Sequence, residues 1–204
     1  MTVALPPPPP FGAPLPLDPA PEVLRFLARR RSASALTLTA PAPTPDELDQ
    51  LLRVAARAPD HGKLAPWRFV VLEGEAKARF AERLDALARS RGDDQAAAKL
   101  GKLKLPPLAV AVIASPKPDP AIPAWEQQLS AGAVCTTLLY AALAMGYGAN
   151  WITDWYAYDP EANAILGLAP PERVAAFMLL GTPREPPLER VRPDLAALVS
   201  RWEG

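Results

Sequence analysis

The stretch RAPDHGKLAPW, from Arg57 to Trp67, carries the only histidine in the chain, His61. An imidazole in a Pro/Gly loop can be a surface residue, a general base or a clamp on something bound. A second group of residues stands at the ends of the expected elements: Arg30, Arg31, Ser32, Arg57, Thr153, Arg190 and Arg192. Taken singly, each reads as solvated surface. Taken with His61 as a set, they are better explained by an anionic ligand, because guanidinium forks match phosphate oxygens two bonds at a time. Each charge-assisted bond contributes roughly 1.5–3 kcal/mol. Two or three would account for micromolar or tighter binding of a phosphorylated cofactor, provided its ring is also buried. Trp151, Trp155, Tyr156 and Tyr158 crowd one short stretch. Such a cluster serves equally as core or as the wall of a site for a planar ring.

Other chemistries lack their parts. No G-x-S-x-G elbow occurs, and Asp60 directly precedes His61, a poor position from which to orient the ring. There is no P-loop and no EF-hand pattern. One histidine and one cysteine leave a zinc site short of ligands, so no metal is expected. Cys135 falls in an all-apolar helical run and reads as an inert core thiol. Lys plus Arg and Asp plus Glu balance at 22 each, which argues against nucleic acid as a partner. No apolar run reaches membrane-spanning length, and the start has no signal-peptide pattern. With a single cysteine, the expected address is the cytoplasm.

These residues need elements to position them. Residues 1–20 are dominated by proline and are expected to be an irregular extension; residues 21–204 then form a single domain. PEVLRFLARR places Val23, Phe26 and Leu27 on one helical face. Thr44, Pro45 and Glu47 make a helix start with a capping box, ahead of an inward stripe of Leu48, Leu51, Leu52 and Ala55. WRFVVLE reads as a strand, and the amphipathic run after it puts Phe80, Leu84 and Leu87 on one side. LAVAVIAS reads as a strand buried on both faces. The long run from Ala124 is a helix, apolar nearly all round from Ala131 to Met145 and therefore inside the fold. GANWITDW and RVAAFMLLGTP read as strands, separated by a short helix capped by Asp159. Leu195, Leu198, Val199 and Trp202 recur at helical spacing near the C-terminus. Interleaved helices and strands without a Gly-rich strand–turn–helix fingerprint indicate an α+β fold.

The pieces RRSAS, PAPTPDEL, RAPDHGKLAPWRFVVLEGE, PAWEQQLSAGA, AMGYGANWITDW and LLGTP run in order from about Pro21 to Pro183. In them the chain resembles the FMN-dependent nitroreductase family, and within it the small YdjA-type NAD(P)H nitroreductases. The resemblance implies a nitroreductase-like α+β fold: a central mixed β-sheet of about four to five strands surrounded by helices, with a long buried central helix. It also implies a homodimer holding FMN at the subunit interface. Arg30, Arg31 and Ser32 match the segment that holds the FMN phosphate and ribityl chain. Arg57 and His61 match flavin contacts, the histidine reaching the FMN of the second subunit. Trp151, Ile152 and Thr153 match the strand beside the flavin. Arg190 and Arg192 stand where a phosphate-binding basic pair falls. Ala141, Ala142, Leu143, Ala144, Met145 and Gly146 match a segment assigned to the nicotinamide nucleotide. Where many members carry Lys or Arg two residues after the motif serine, this chain has Ser34, so Arg57 or Lys63 would supply the positive charge near the ring.

The implied activity is an oxidoreductase that takes hydride from NAD(P)H through flavin N5 and passes it, in ping-pong order, to a nitroaromatic, quinone or similar small acceptor. The chemistry belongs to the cofactor, so no side chain is assigned as the catalyst, and His61 reads as a cofactor clamp rather than a base. The alternatives are a flavin reductase with a non-nitro acceptor and a flavin-binding or interaction protein without efficient turnover.

Overall fold

The computed structural model describes residues 5–119 and 121–204. Residues 1–4 of the proline-rich extension lie outside the described residues. From Leu5 to Ala20 there is neither helix nor strand. Leu5 N donates to Gln50 Oε1 at 3.1 Å and Arg53 donates to Pro6 O at 3.0 Å, so the extension passes over the second helix.

Five strands form the sheet: β1 (Leu38–Thr39), β2 (Trp67–Glu73), β3 (Leu108–Ala114), β4 (Gly148–Ile152) and β5 (Arg173–Pro183). The order is β1–β5–β3–β2, and β4 also pairs with β5. Every pairing is antiparallel, which corrects the expectation of a mixed sheet. The physical reason is the route between β2 and β3. Helix α3 (Gly74–Ser90) carries the chain away, and α4 (Asp94–Lys99) and α5 (Gly101–Lys104) bring it back. Glu73, where the chain leaves the sheet, ends up opposite Leu108, where it re-enters. The buried ammonium of Lys77 closes this return by donating to Leu103 O at 2.9 Å and Lys104 O at 2.8 Å, satisfying carbonyls at the end of α5.

The alternation of β3 divides the core in two. Leu108, Val110 and Val112 face a cluster with α2 (Pro45–Ala55) and α6 (Ala124–Ala144). Ala109, Ala111 and Ile113 face a second cluster with α3, α5 and α7 (Trp155–Tyr158). In β5 the alternation slips at a bulge opposite Val112 and Ile113, so Val174 and Phe177 share a face. Helix α2 starts as expected: Thr44 Oγ1 accepts from Glu47 N, and the Glu47 carboxylate accepts from Thr44 N. Leu48, Leu51 and Ala55 are buried against α6 and Leu52 is half-buried. Helix α6 buries Ala131, Val134, Cys135, Leu138, Leu139 and Ala142 and leaves Ala144 exposed. Gly146, at φ +88°, provides the stop.

Among the described residues, two apolar stripes find no partner in the single chain. Helix α1 (Pro21–Arg29) leaves Val23, Leu24 and Leu27 exposed, and only Phe26 packs, edge-on to Tyr140. The C-terminal stripe forms a single 3-10 turn at Leu195–Ala197, with Leu195, Leu198, Val199 and Trp202 all exposed. A short helix with nothing to pack against is marginal in water, so the helical spacing is not realised there. Among the described residues, no helix is long and apolar enough to cross a membrane.

At Gly181 in β5 the strands approach so closely that a Cβ would lie 2.7 Å from Thr39 O and 2.9 Å from Pro107 Cδ. Gly181→Ala is therefore expected to destabilise by about 1–3 kcal/mol, through forced separation of backbone; chemical denaturation measures it, and wild-type stability would contradict this packing. A second tie holds the β2 edge: Arg68 donates from Nε and a terminal nitrogen to Glu172, both bonds at 2.7 Å. That pair holds the Glu172 carboxyl far below 4.5, at about 2. A depressed carboxyl contributes stability that is complete above about 4.5 and is lost as pH falls toward 2. Thermal melts of wild type and Glu172→Gln should thus differ most at neutral pH and converge on acidification; a gap unchanged from pH 7 to pH 2 would exclude this linkage.

Candidate functional site

The segment after α1 lies across β4. Ala33 N donates to Ala149 O at 3.1 Å, and the Asn150 amide donates to Ala33 O. This fixes Arg30, Arg31 and Ser32 beside the strand that carries Trp151, Ile152 and Thr153. Arg30 caps α1 through its backbone N–H, which donates to Phe26 O. Its guanidinium donates to Ser32 Oγ at 3.1 Å and lies over the Tyr140 ring, 5.8 Å from the centroid. Arg30 Nε is buried and has no hydrogen-bond partner among the described residues.

The C-terminal arm completes this cluster. Arg184 ties it down by donating from its backbone N to Thr37 O and from its side chain to Leu36 O, both at 2.9 Å. Arg31 Nε donates to Leu188 O at 2.8 Å and lies 3.8 Å from the Glu189 carboxylate. Arg192 pairs with Glu189 at 2.9 Å and reaches Arg30 O at 3.4 Å. Arg190 is exposed, and its backbone N donates to Glu189 Oε1 at 2.8 Å. That backbone bond, helped by Arg192 and Arg31, keeps the Glu189 carboxyl below its usual range. Two guanidinium groups, those of Arg31 and Arg192, thus pair with one carboxylate. A hollow of about 600 Å³ opens here, lined by Arg31, Ser32, Ser34, Thr37, Leu188 and Glu189 among others. Arg31 and the hydroxyls of Ser32, Ser34 and Thr37 can meet a phosphate with a hydroxylated chain, and the same lining holds the carboxylates of Glu185 and Glu189.

On β4, Trp151 stands partly open while Ile152 packs on the core. Thr153 Oγ1 accepts from Tyr158 at 2.8 Å. Trp151 walls a hollow of about 310 Å³ shared with Gln128, Gly132 and Arg173. A larger one of about 800 Å³ adjoins it through Pro116, Gln128, Pro171 and Arg173. Of the aromatic cluster, Tyr156 is core, Trp155 donates to Ala96 O, and Tyr158 is exposed and lines the larger hollow.

His61 and Arg57 lie elsewhere. His61 sits in a 3-10 turn over the first half of α6, and its Nδ1 donates to Glu126 Oε2 at 2.8 Å. Arg57, just past α2, is exposed. Glu126 and Tyr140 mark the two groups on α6, and at 1.5 Å per residue they are separated by roughly 20 Å. One chain therefore brings together Arg30, Arg31, Ser32, Arg192 and the 151–153 strand, while His61 sits at the other end of α6 from Arg30. Of the segment Ala141, Ala142, Leu143, Ala144, Met145 and Gly146, only Ala144 and Gly146 are exposed. Ala142 is fully buried, so its side chain cannot touch a ligand. Tyr147, which follows, donates to Glu47 Oε2 at 2.7 Å and so ties this end of α6 to α2.

Sequence reasoning did not single out Glu126, Tyr140, Asn150 or Glu189 as site residues. Glu126 and Glu189 do stand within the motifs PAWEQQ and ERVR. Asn150 stands within AMGYGANWITDW, whereas Tyr140 lies outside every matched piece. Burial pushes the Cys135 thiol up to about 12, which suits an inert core residue. Among the described residues, no cluster of three His, Cys, Asp or Glu could hold a metal ion.

The fold and its sequence have known relatives. The nitroreductase family profile matches residues 27–182. The Escherichia coli protein named "Putative NAD(P)H nitroreductase YdjA" is 36% identical over 165 residues, covering 80% of this chain and 89% of that protein. A nitroreductase-like protein from Bacillus cereus superposes with a TM-score of 0.76 at 20% identity, over 94% of this chain and all of that one. A nitroreductase with bound FMN from Bacteroides fragilis superposes at 0.67 with 23% identity, over 89% of this chain and 99% of that one. A profile match over most of its length, and a relative this similar, place the chain in the nitroreductase family.

Proposed function

We propose that the protein is a cytoplasmic homodimeric FMN-dependent oxidoreductase that uses NAD(P)H to reduce nitroaromatic, quinone or similar acceptors. In this reading, residues 1–20 are an extension to a single domain formed by 21–204. The observation that carries the proposal is the group of arginines beside β4, Arg30, Arg31 and Arg192, with the buried, unpartnered Nε of Arg30. An orphaned buried donor costs about 1–3 kcal/mol unless an acceptor arrives. A phosphate oxygen is such an acceptor, and the hydroxyls of Ser32, Ser34 and Thr37 suit a ribityl chain.

When bound, FMN supplies the hydride relay between reductant and acceptor. The chain's own residues bind and orient. Arg30, Arg31, Arg190 and Arg192 hold the phosphate end. Trp151, Ile152 and Thr153 lie along the ring, and the Trp151 wall of the smaller hollow accommodates one planar acceptor. Ala144 and Gly146 offer the exposed surface for the nicotinamide nucleotide. His61 and Arg57 act from a second copy. The roughly 20 Å separation along α6 supports that assignment, and so do the uncovered apolar faces of α1 and the C-terminal arm. With Ser34 neutral, the cation nearest the ring is Arg57 or Lys63 of the second copy.

Purified protein is expected to be yellow and to bleach with NADH or NADPH. Arg30→Ala should weaken FMN binding on the order of tenfold to a hundredfold, the loss of one charged contact, as read by fluorescence titration; unchanged affinity would move the phosphate elsewhere. His61→Ala should loosen FMN with the dimer intact. Because each site draws on both copies, co-refolding Arg30→Ala with His61→Ala chains should restore tight binding to one site of each mixed dimer. No recovery in mixed dimers would refute the shared site.

A further inference from the structure

The His61 turn is rigid far beyond what a surface loop requires. Gly62, Lys63 and Ala65 all have positive φ, at +72°, +57° and +44°. Asp60 holds that shape by accepting from Leu64 N at 3.2 Å and Ala65 N at 2.8 Å. The turn is pressed onto the start of α6: a Cβ on Gly62 would lie 2.3 Å from Ile122 Cδ1. Ser130 Oγ donates to Pro59 O at 2.7 Å and accepts from Trp67 Nε1 at 3.2 Å. Buried Gln127 fastens the segment before α6 by accepting from Lys117 N and donating to Lys117 O and Ile122 O. Backbone strain of this kind persists where surrounding structure over-determines it.

On this platform the His61–Glu126 pair is itself open to solvent, with side chains 66% and 45% exposed. An exposed ion pair adds little to stability. Its consequence is geometric. A carboxylate only accepts, so the ring nitrogen facing Glu126 carries the proton. In the neutral imidazole, Nε2 is then left without a proton, on a side chain that is largely open to solvent.

We propose that Glu126 is the positioning residue of His61. It sets the Nδ1–H tautomer and the ring orientation, so that Nε2 is presented outward to the flavin nucleotide held by the second copy. This rests on the FMN reading above and extends it to a residue on a core helix. Such carboxylate–histidine pairs orient ligating imidazoles in metal sites by the same logic.

Because the chain has one histidine, a long-range ¹⁵N–¹H spectrum of its imidazole reads the tautomer directly. At a pH where the ring is neutral, wild type is expected to show Nδ1 protonated and Nε2 bare. Glu126→Gln, whose amide oxygen still accepts, should keep that pattern and stay within about twofold of wild-type FMN affinity. Glu126→Leu should lose the pattern and bind FMN about tenfold more weakly. Loss of negative charge from the first turn of α6 is common to both variants, so a purely structural role would move them together in thermal melts and in affinity. An Nε2-protonated wild type, or equal FMN affinity in the Gln and Leu variants while His61→Ala binds weakly, would overturn the assignment. Unchanged affinity in His61→Ala would instead strike the shared-site reading.

Discussion

Helix α6 is a stiff rod locked against the sheet, and its length sets the geometry of everything functional. Its first half carries the His61 platform through Glu126, Gln127 and Ser130, together with Ile122 just before it. Its second half carries Tyr140, on which Arg30 and Phe26 rest. With Val134, Cys135 and Leu138 fully buried between these ends, the helix cannot tilt without opening the core. The two groups it carries are therefore held roughly 20 Å apart within one chain.

Charge follows the same logic. The chain is neutral overall, yet its arginines are gathered where the C-terminal arm meets the segment after α1. Glu189 keeps them from dispersing. It holds Arg31 and Arg192 within ion-pair distance, at the edge of the hollow lined by Arg31, Glu185 and Glu189. The arm bearing Glu189 has almost no apolar packing of its own, so electrostatic and backbone bonds hold it in place.

The local elements were legible because their signals are local. The capping box at Thr44 and Glu47, the β2, β3 and β5 runs, and the Asp159 cap are set by neighbours three or four residues away. The same reasoning misread the C-terminal stripe. Helical spacing there describes a face, and a face needs something to cover it. The sheet's sense also escaped, because strand direction depends on how α3, α4 and α5 return the chain.

The sequence by itself determined which residues are candidates for a site: the RRS segment, the lone histidine in its Pro/Gly turn, and the basic pair near the C-terminus. Residue type and motif order are properties of the string. Only the tertiary structure decided which of them share a site. Arg30 meets Ser32, Tyr140 and the Arg192 side chain, and His61 meets Glu126 at the other end of α6. Apart from Arg30–Ser32, those meetings join positions 65 to more than 160 residues apart, as His61–Glu126 and Arg30–Arg192 show. Local physical chemistry carries no information over such separations until the sheet and the buried helix fix the distances.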